Sequence, residues 1–146
     1  MANYRDLGIA DATFKADVDI SGSQWYVVMP ASVAGGVQRA TGASNPGPLG
    51  ILQNSPSLGQ EATVRMMGFS KAIVAANACT ARWGAYLVVA STGKLEPLST
   101  ESTNNGGCAI FARFVDTVSI AANASNYAQV FILPTPVSGS FGQAAC

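Results

Sequence analysis

Punctuation limits what this chain can become more than any other property of its sequence. Glycine or proline interrupts most apolar stretches, and no window longer than about ten residues sustains the i, i+3, i+4 spacing of an amphipathic helix. What recurs is a short β-branched or aromatic run followed by a turn, at intervals of about 8–12 residues. That is the pattern of an all-β sandwich or barrel. Strands are predicted over Thr13–Val18, Gln24–Met29, Val37–Ala40, Leu49–Gln53, Ala62–Val74, Ala85–Ala90, Lys94–Pro97, Cys108–Val115 and Tyr127–Leu133. Gly68 falls inside the longest of these, where it marks a bulge or corner. Asn77–Trp83 and Val118–Ala124 can each hold one helical turn. The expected fold is therefore a small single-domain β-barrel or β-sandwich of about 8–10 short strands (residues 13–133), with an N-terminal arm (1–12) and a C-terminal tail (134–146).

Two stretches resemble one another. Trp25-Tyr26-Val27-Val28 leads through a Gly turn to Leu49-Gly50-Ile51-Leu52, and Ala85-Tyr86-Leu87-Val88 leads through Thr92-Gly93 to Cys108-Ala109-Ile110-Phe111. Tyr26 and Tyr86 are offset by 60 residues, Ile51 and Ile110 by 59. Two similar β-units closing one small barrel account for this, and so does chance likeness between strand–turn–strand patterns.

Charge is the unusual feature of the composition. Hydrophobic residues make up 49% of the 146, ample for a core, yet only 11% are Asp, Glu, Lys or Arg, against roughly 25% in typical proteins. A free monomer normally keeps more charge, so much of this surface is expected to lie against other protein. With 8 basic and 8 acidic residues there is no electrostatic footprint for nucleic acid. The absence of histidine excludes Ser-His-Asp and Cys-His nucleophiles and His-containing zinc sites. Apolar stretches such as Ala85–Ala90 fall far short of the roughly 20 residues of a membrane span. The N-terminus lacks the apolar segment of a secretory signal, so synthesis in a cytosol is expected. Cys79, Cys108 and Cys146 are odd in number and far apart, which argues against a disulfide framework; Cys79 and Cys108 read as small buried hydrophobes.

No motif carries catalysis, and no metal or cofactor is expected. Asp17 and Asp19 lack the further ligands and glycine of a calcium loop and read as a turn. Gly35-Gly36 and Gly106-Gly107 lack phosphate-loop spacing. Arg65, Arg82 and Arg113 interrupt apolar runs with no acid nearby in sequence. With Trp83 they are candidates for a subunit interface. Tyr4, Arg5, Leu7 and Ile9 stud an arm without an evident partner strand and are candidates for contact with another protein.

The order of short segments adds a resemblance. Phe14-Lys15-Ala16-Asp17-Val18-Asp19-Ile20, Gly50-Ile51-Leu52-Gln53-Asn54, Gly59-Gln60-Glu61-Ala62-Thr63-Val64-Arg65, Gly68-Phe69-Ser70-Lys71 and Trp83-Gly84-Ala85-Tyr86-Leu87 follow one another much as in small decoration (cement) proteins of tailed-bacteriophage capsids. The chain resembles that head-stabilising family over residues 14–133. The resemblance implies a non-enzymatic, cofactor-free all-β homotrimer on the outer surface of the phage head, made in the bacterial cytoplasm. Its partner there is the major capsid protein, whose adjacent subunits it bridges. The apolar arm, which lies outside the resembling residues and has no evident internal partner, puts Tyr4, Arg5, Leu7 and Ile9 forward for the capsid side. Other readings are a tail-tube or head–tail joining protein, or a carbohydrate-binding surface module presenting Trp25, Tyr26 or Trp83.

Overall fold

The computed structural model describes residues 9–42, 47–76, 79–98 and 110–137, the last four of these as backbone only. Among them there is no helix. The described residues form nine strands: β1 (Ala10–Ala16), β2 (Val27–Pro30), β3 (Gly36–Arg39), β4 (Gly50–Leu52), β5 (Glu61–Ala76), β6 (Tyr86–Val89), β7 (Leu95–Pro97), β8 (Ile110–Phe114) and β9 (Ala124–Val137). The all-β expectation holds, with differences at the edges. β1 begins at Ala10, within the stretch read as an arm, and β9 runs past residue 133. The two expected helical turns are not formed in the described parts of those segments, where Ala81 and Ile120 instead pair as an isolated β-bridge.

The pairings close two rings. β1 pairs with β3, β3 with β2, β2 with β4, β4 with β5, and β5 returns to β1. The second ring runs β5–β7–β6–β8–β9 and back to β5. Closure leaves neither ring an open edge, the usual hazard of a small sheet. Both rings use β5, whose 16 residues change partners at Gly68: Met67 still faces Ala10 of β1, while Gly68 faces Ile132 of β9. The glycine has φ +97, a conformation open to it because it has no Cβ.

The rings are two copies of one design. In each, the first strand runs parallel to the third and every other pairing is antiparallel. A shift of 58 residues carries Ala16 to Val74 and Val37 to Leu95; 59 carries Val28 to Leu87, 62 carries Leu52 to Phe114, and 66 carries Val64 to Val130. These shifts reproduce the registers of all five pairings, and buried residues land on buried residues. They reproduce the loops as well. The Trp25 amide donates to the Leu52 carbonyl at 2.9 Å, and the Gly84 amide to the Phe114 carbonyl at 2.8 Å. The Ala31 amide donates to Gly36 O at 2.9 Å, and the Ala90 amide to Lys94 O at 2.8 Å. Asn54 Oδ1 accepts the Thr63 amide at 2.9 Å where Asp116 Oδ2 accepts the Gln129 amide at 2.9 Å. Gly35 and Gly93, in the equivalent hairpins, share φ +77.

The suggestion of two similar units is thus correct and the single barrel is not: each unit closes its own ring. The letter matches also mislead. Tyr26 corresponds to Ala85, and Ile51 to Arg113.

Alternation along the strands sorts side chains between the inside and outside of each ring. Ala16, Ile20, Val28, Val37, Leu52, Ala62 and Val64 fill the first. A larger cluster centred on Phe114, Leu87, Leu95 and Val130 fills the second, and it continues through Val27, Met29, Ala40 and Ile51 on the outside of the first. That continuity joins the rings. Gly93 is pressed against this seam: its carbonyl accepts the Val27 amide at 2.8 Å, and a Cβ there would lie 2.8 Å from Arg39 Cγ.

Two local expectations need correcting. β2 starts at Val27, not Gln24, because Trp25 sits at φ +71 and breaks the extended run. Cys79 is buried as expected, but it is disulfide-bonded. Sequence spacing does not say which thiols meet in space. Cys108 and Cys146 lie outside the described residues.

Candidate interaction face

Outward positions on a two-stranded ribbon lie in a row of cross-strand pairs. The β1–β5 ribbon of the first ring and the β5–β9 ribbon of the second are equivalent, so their outer rows can be compared pair by pair. In the first ring Asp11 faces Arg65, Thr13 faces Thr63 and Lys15 faces Glu61. In the second, the corresponding pairs are Phe69 with Phe131, Lys71 with Gln129 and Ile73 with Tyr127.

Chemistry follows from that exchange. Arg65 grips Asp11 through two hydrogen bonds, Nε to Oδ1 at 2.7 Å and an Nη to Oδ2 at 2.9 Å, the forked geometry that suits a guanidinium to a carboxylate. The Arg65 hydrogen bond holds the Asp11 carboxyl below the usual carboxylate range and raises the guanidinium in turn. The equivalent pair in the second ring is a pair of phenyl rings, 5.1 Å between centroids and edge-to-face at 70°. Tyr127 is 54% exposed and Phe69 46% exposed. Lys71 is the one formal charge in this row; its Nζ lies 4.5 Å from the centroid of Tyr127 and 5.5 Å from that of Trp25. Such contacts keep the cation against aromatic faces.

A shallow cavity of about 280 Å³ opens beside this row, lined by Lys71, Asp116, Tyr127, Ala128 and Gln129. The Asp116 carboxyl is committed to the backbone: it accepts the Gln129 amide at 2.9 Å and the Val118 amide at 3.2 Å, and these bonds lower its pKa. Among the described residues no three His, Cys, Asp or Glu side chains cluster as a metal ion would need. Asp19 accepts the Ser21 amide at 3.0 Å, as a turn residue does.

The residues singled out from sequence fall in several places. Arg65 lies at the edge of the aromatic row, where a guanidinium nitrogen donates to the Phe69 carbonyl at 2.9 Å; its acid, Asp11, is 54 residues away and invisible to local inspection. Arg82 and Trp83 stand exposed in the turn before β6, and Arg113 of β8 reaches the same turn through the Gly84 carbonyl at 3.4 Å. Arg113 also stacks on Tyr86, 4.9 Å from the ring centroid. Ile9 is exposed just ahead of β1. Tyr4, Arg5 and Leu7 lie outside the described residues. Trp25 is half-buried against Lys71, Tyr26 lies under Arg39 at 5.3 Å, and Trp83 stands apart on its turn. The aromatic row itself was not found from sequence. The signal was there, in Phe69-x-Lys71-x-Ile73 and Tyr127-x-Gln129-x-Phe131, but alternation does not say which set faces in. The inward set is the smaller one: Ser70, Ala72, Ala128 and Val130.

No family of known proteins matches the sequence, and no curated protein matches it. The fold does have a counterpart among solved structures, the head fiber gp8.5 N base of bacteriophage phi29. The two chains align with a TM-score of 0.54 at 12% identity, over 88% of this chain and 98% of that one. At that identity the likeness is one of fold.

Proposed function

We propose that this chain is a structural protein of a tailed-phage head, carried on the outer capsid surface as a homotrimer that bridges adjacent major capsid subunits. The observation that carries the reading is the likeness of fold, nearly end to end, to a protein of a phage head. The resemblance of the segments in 14–133 to capsid decoration proteins points the same way, as does a surface poor in charge with aromatic rings held out to solvent.

A bridging trimer works by adding contact area across junctions that must not slide. One contact of about 800 Å² per partner is ordinary in strength. Three on one rigid body act together, and avidity exceeds single-site affinity by roughly 10²–10⁴-fold. Tyr4, Arg5, Leu7 and Ile9 are assigned to the capsid side. Arg65, Arg82, Trp83 and Arg113 are assigned to contacts between subunits.

Heads assembled without the protein provide the test, with the bound fraction read by sedimentation. Deletion of residues 2–8 should abolish binding while leaving the oligomer intact. The deletion stops short of β1, because Asp11 is needed to hold Arg65. Full occupancy by the shortened protein removes Tyr4, Arg5 and Leu7 from the mechanism and leaves Ile9 alone of the arm residues. Failure of the whole protein to bind such heads removes the reading itself, and a six- or twelve-fold ring in native mass spectrometry moves it to the tail or the head–tail joint.

A further inference from the structure

We infer that the outer face of the β5–β9 ribbon, centred on Phe69, Tyr127 and Phe131, is where copies of this chain meet one another along the trimer axis. The inference rests on the trimer of the proposed function and adds to it the surface that makes the trimer.

The first ring supplies the control. Its equivalent face shows that this fold needs no apolar side chains there: Asp11 with Arg65 and Lys15 with Glu61 occupy the positions of Phe69 with Phe131 and Ile73 with Tyr127. The aromatic residues of the second ring are therefore surplus to ring closure, and both Phe69 and Tyr127 stay about half in solvent. Aromatic side chains bury roughly 150–250 Å² each when fully covered. About half of Phe69 and half of Tyr127 are left uncovered on this one face, on the order of 200 Å² of mostly aromatic surface. It is the right size for the dry centre of a standard interface of about 800 Å² per partner, in which a few aromatic anchors carry most of the energy.

Charge argues for a second copy as the occupant. Residues that lie on a threefold axis meet their own copies, so a charge placed there is set against its own kind, whereas away from the axis different residues meet. The first ring's face has four charged residues in its row, whereas the second has one. That one, Lys71, is drawn against Tyr127 and Trp25 instead of projecting alone.

The internal duplication also provides the test, because the first ring already holds the replacement pair, although Arg65 stands opposite Ile51 there and position 131 stands opposite Arg113. The double variant Phe69→Asp/Phe131→Arg copies the Asp11–Arg65 pair into the second ring and removes the aromatic anchors. Native mass spectrometry at micromolar concentration, without heads present, should find the unmodified chain near three times 14.9 kDa and the variant at 14.9 kDa. Association should weaken at least about a hundred-fold, since two interface anchors are lost. Far-ultraviolet circular dichroism checks that the variant is folded. If it is not, Tyr127→Glu, on a ring half in solvent, carries the same expectation. A folded variant that remains trimeric overturns the inference, and so does an unmodified chain that is monomeric. A trimer that fails to bind heads leaves this inference standing and removes the capsid reading, so the two fail separately.

Discussion

Set side by side, the two rings show which features of the design are fixed and which are free. Strand order, register, the stagger that closes each ring, and a set of loop hydrogen bonds are the same in both. The outer faces are not. An ion pair in one ring occupies the place of an aromatic pair in the other. Backbone geometry was retained while the solvent side changed its chemistry, as expected when closure depends on main-chain bonding and the outer face answers only to what covers it. Trp25 marks another divergence. It holds φ +71, uncommon for a bulky side chain, where the second ring has Gly84 at φ +83 and no such cost. Trp25 accepts the Ile73 amide at 3.1 Å and lies beside Lys71, so the strained residue ties the first ring to the second.

Substitutions at matched positions can break this comparison. The largest contrast is expected inside the rings. Gly50 corresponds to Ala112, and a methyl at Gly50 would run into the Arg65 carbonyl and lie 2.6 Å from Val64 Cγ1. Gly50→Ala should cost about 3 kcal/mol, the upper part of the range for overpacking. Ala112→Gly should cost about 1–2 kcal/mol, from one buried methyl and added backbone freedom. Equal losses in urea unfolding would show that the two interiors are not packed as differently as the contacts require.

A smaller contrast is expected at the hairpins. Gly35 and Gly93 share a left-handed φ, but a Cβ at Gly35 meets nothing within 4 Å, whereas at Gly93 it meets Arg39 and Ala40. Gly35→Ala should lose about 1 kcal/mol to backbone strain alone. Gly93→Ala should lose more than that, because the seam between rings must also shift. A melting temperature lowered equally by both would mean that the seam is soft.

The smallest contrast is one of pH. Asn54→Ala and Asp116→Ala each remove the oxygen that caps an amide of the next strand, at a cost of about 1 kcal/mol. The Asp116 pKa is depressed in the folded chain. Its contribution is therefore complete above the ordinary carboxylate pKa and is lost as pH falls through the lower folded value. Asn54 does not titrate, so its contribution should survive acid. Stability measured against pH should show Asp116→Ala converging on the unmodified chain at low pH while Asn54→Ala stays apart.

Much of the fold was legible because turns are written in glycine and proline. Gly35 and Gly93 separate strands where the reading placed turns, and β2 ends at Pro30. The duplication was legible only as a suspicion. What the rings share is hydrogen bonding by main-chain atoms, which leaves no letter behind, so Tyr26 was matched with Tyr86 although its counterpart is Ala85. The partner of Arg65 and the bonding of Cys79 depend on long-range proximity, which spacing does not report. The aromatic face was missed because large apolar residues ordinarily point inward. Here the small residues Ser70, Ala72, Ala128 and Val130 take the inside of this ribbon, and the space they leave is filled from other strands by Phe114, Leu87 and Leu95.

Because β5 is the last strand of one ring and the first of the other, the rings share one timetable. Ala12 must find Val64 and Ala72 must find Ala128, partners more than fifty residues apart, and such distant pairings are slow to form. A chain synthesised from its N-terminus completes β1 through β5 while β9 is still missing. By the time β9 arrives, half of β5 is anchored, and its other half offers an ordered template. Amide exchange on nascent chains stalled before β9 is synthesised should find the β1–β5 amides already protected. The older part of the nascent chain acts as the mould for the younger.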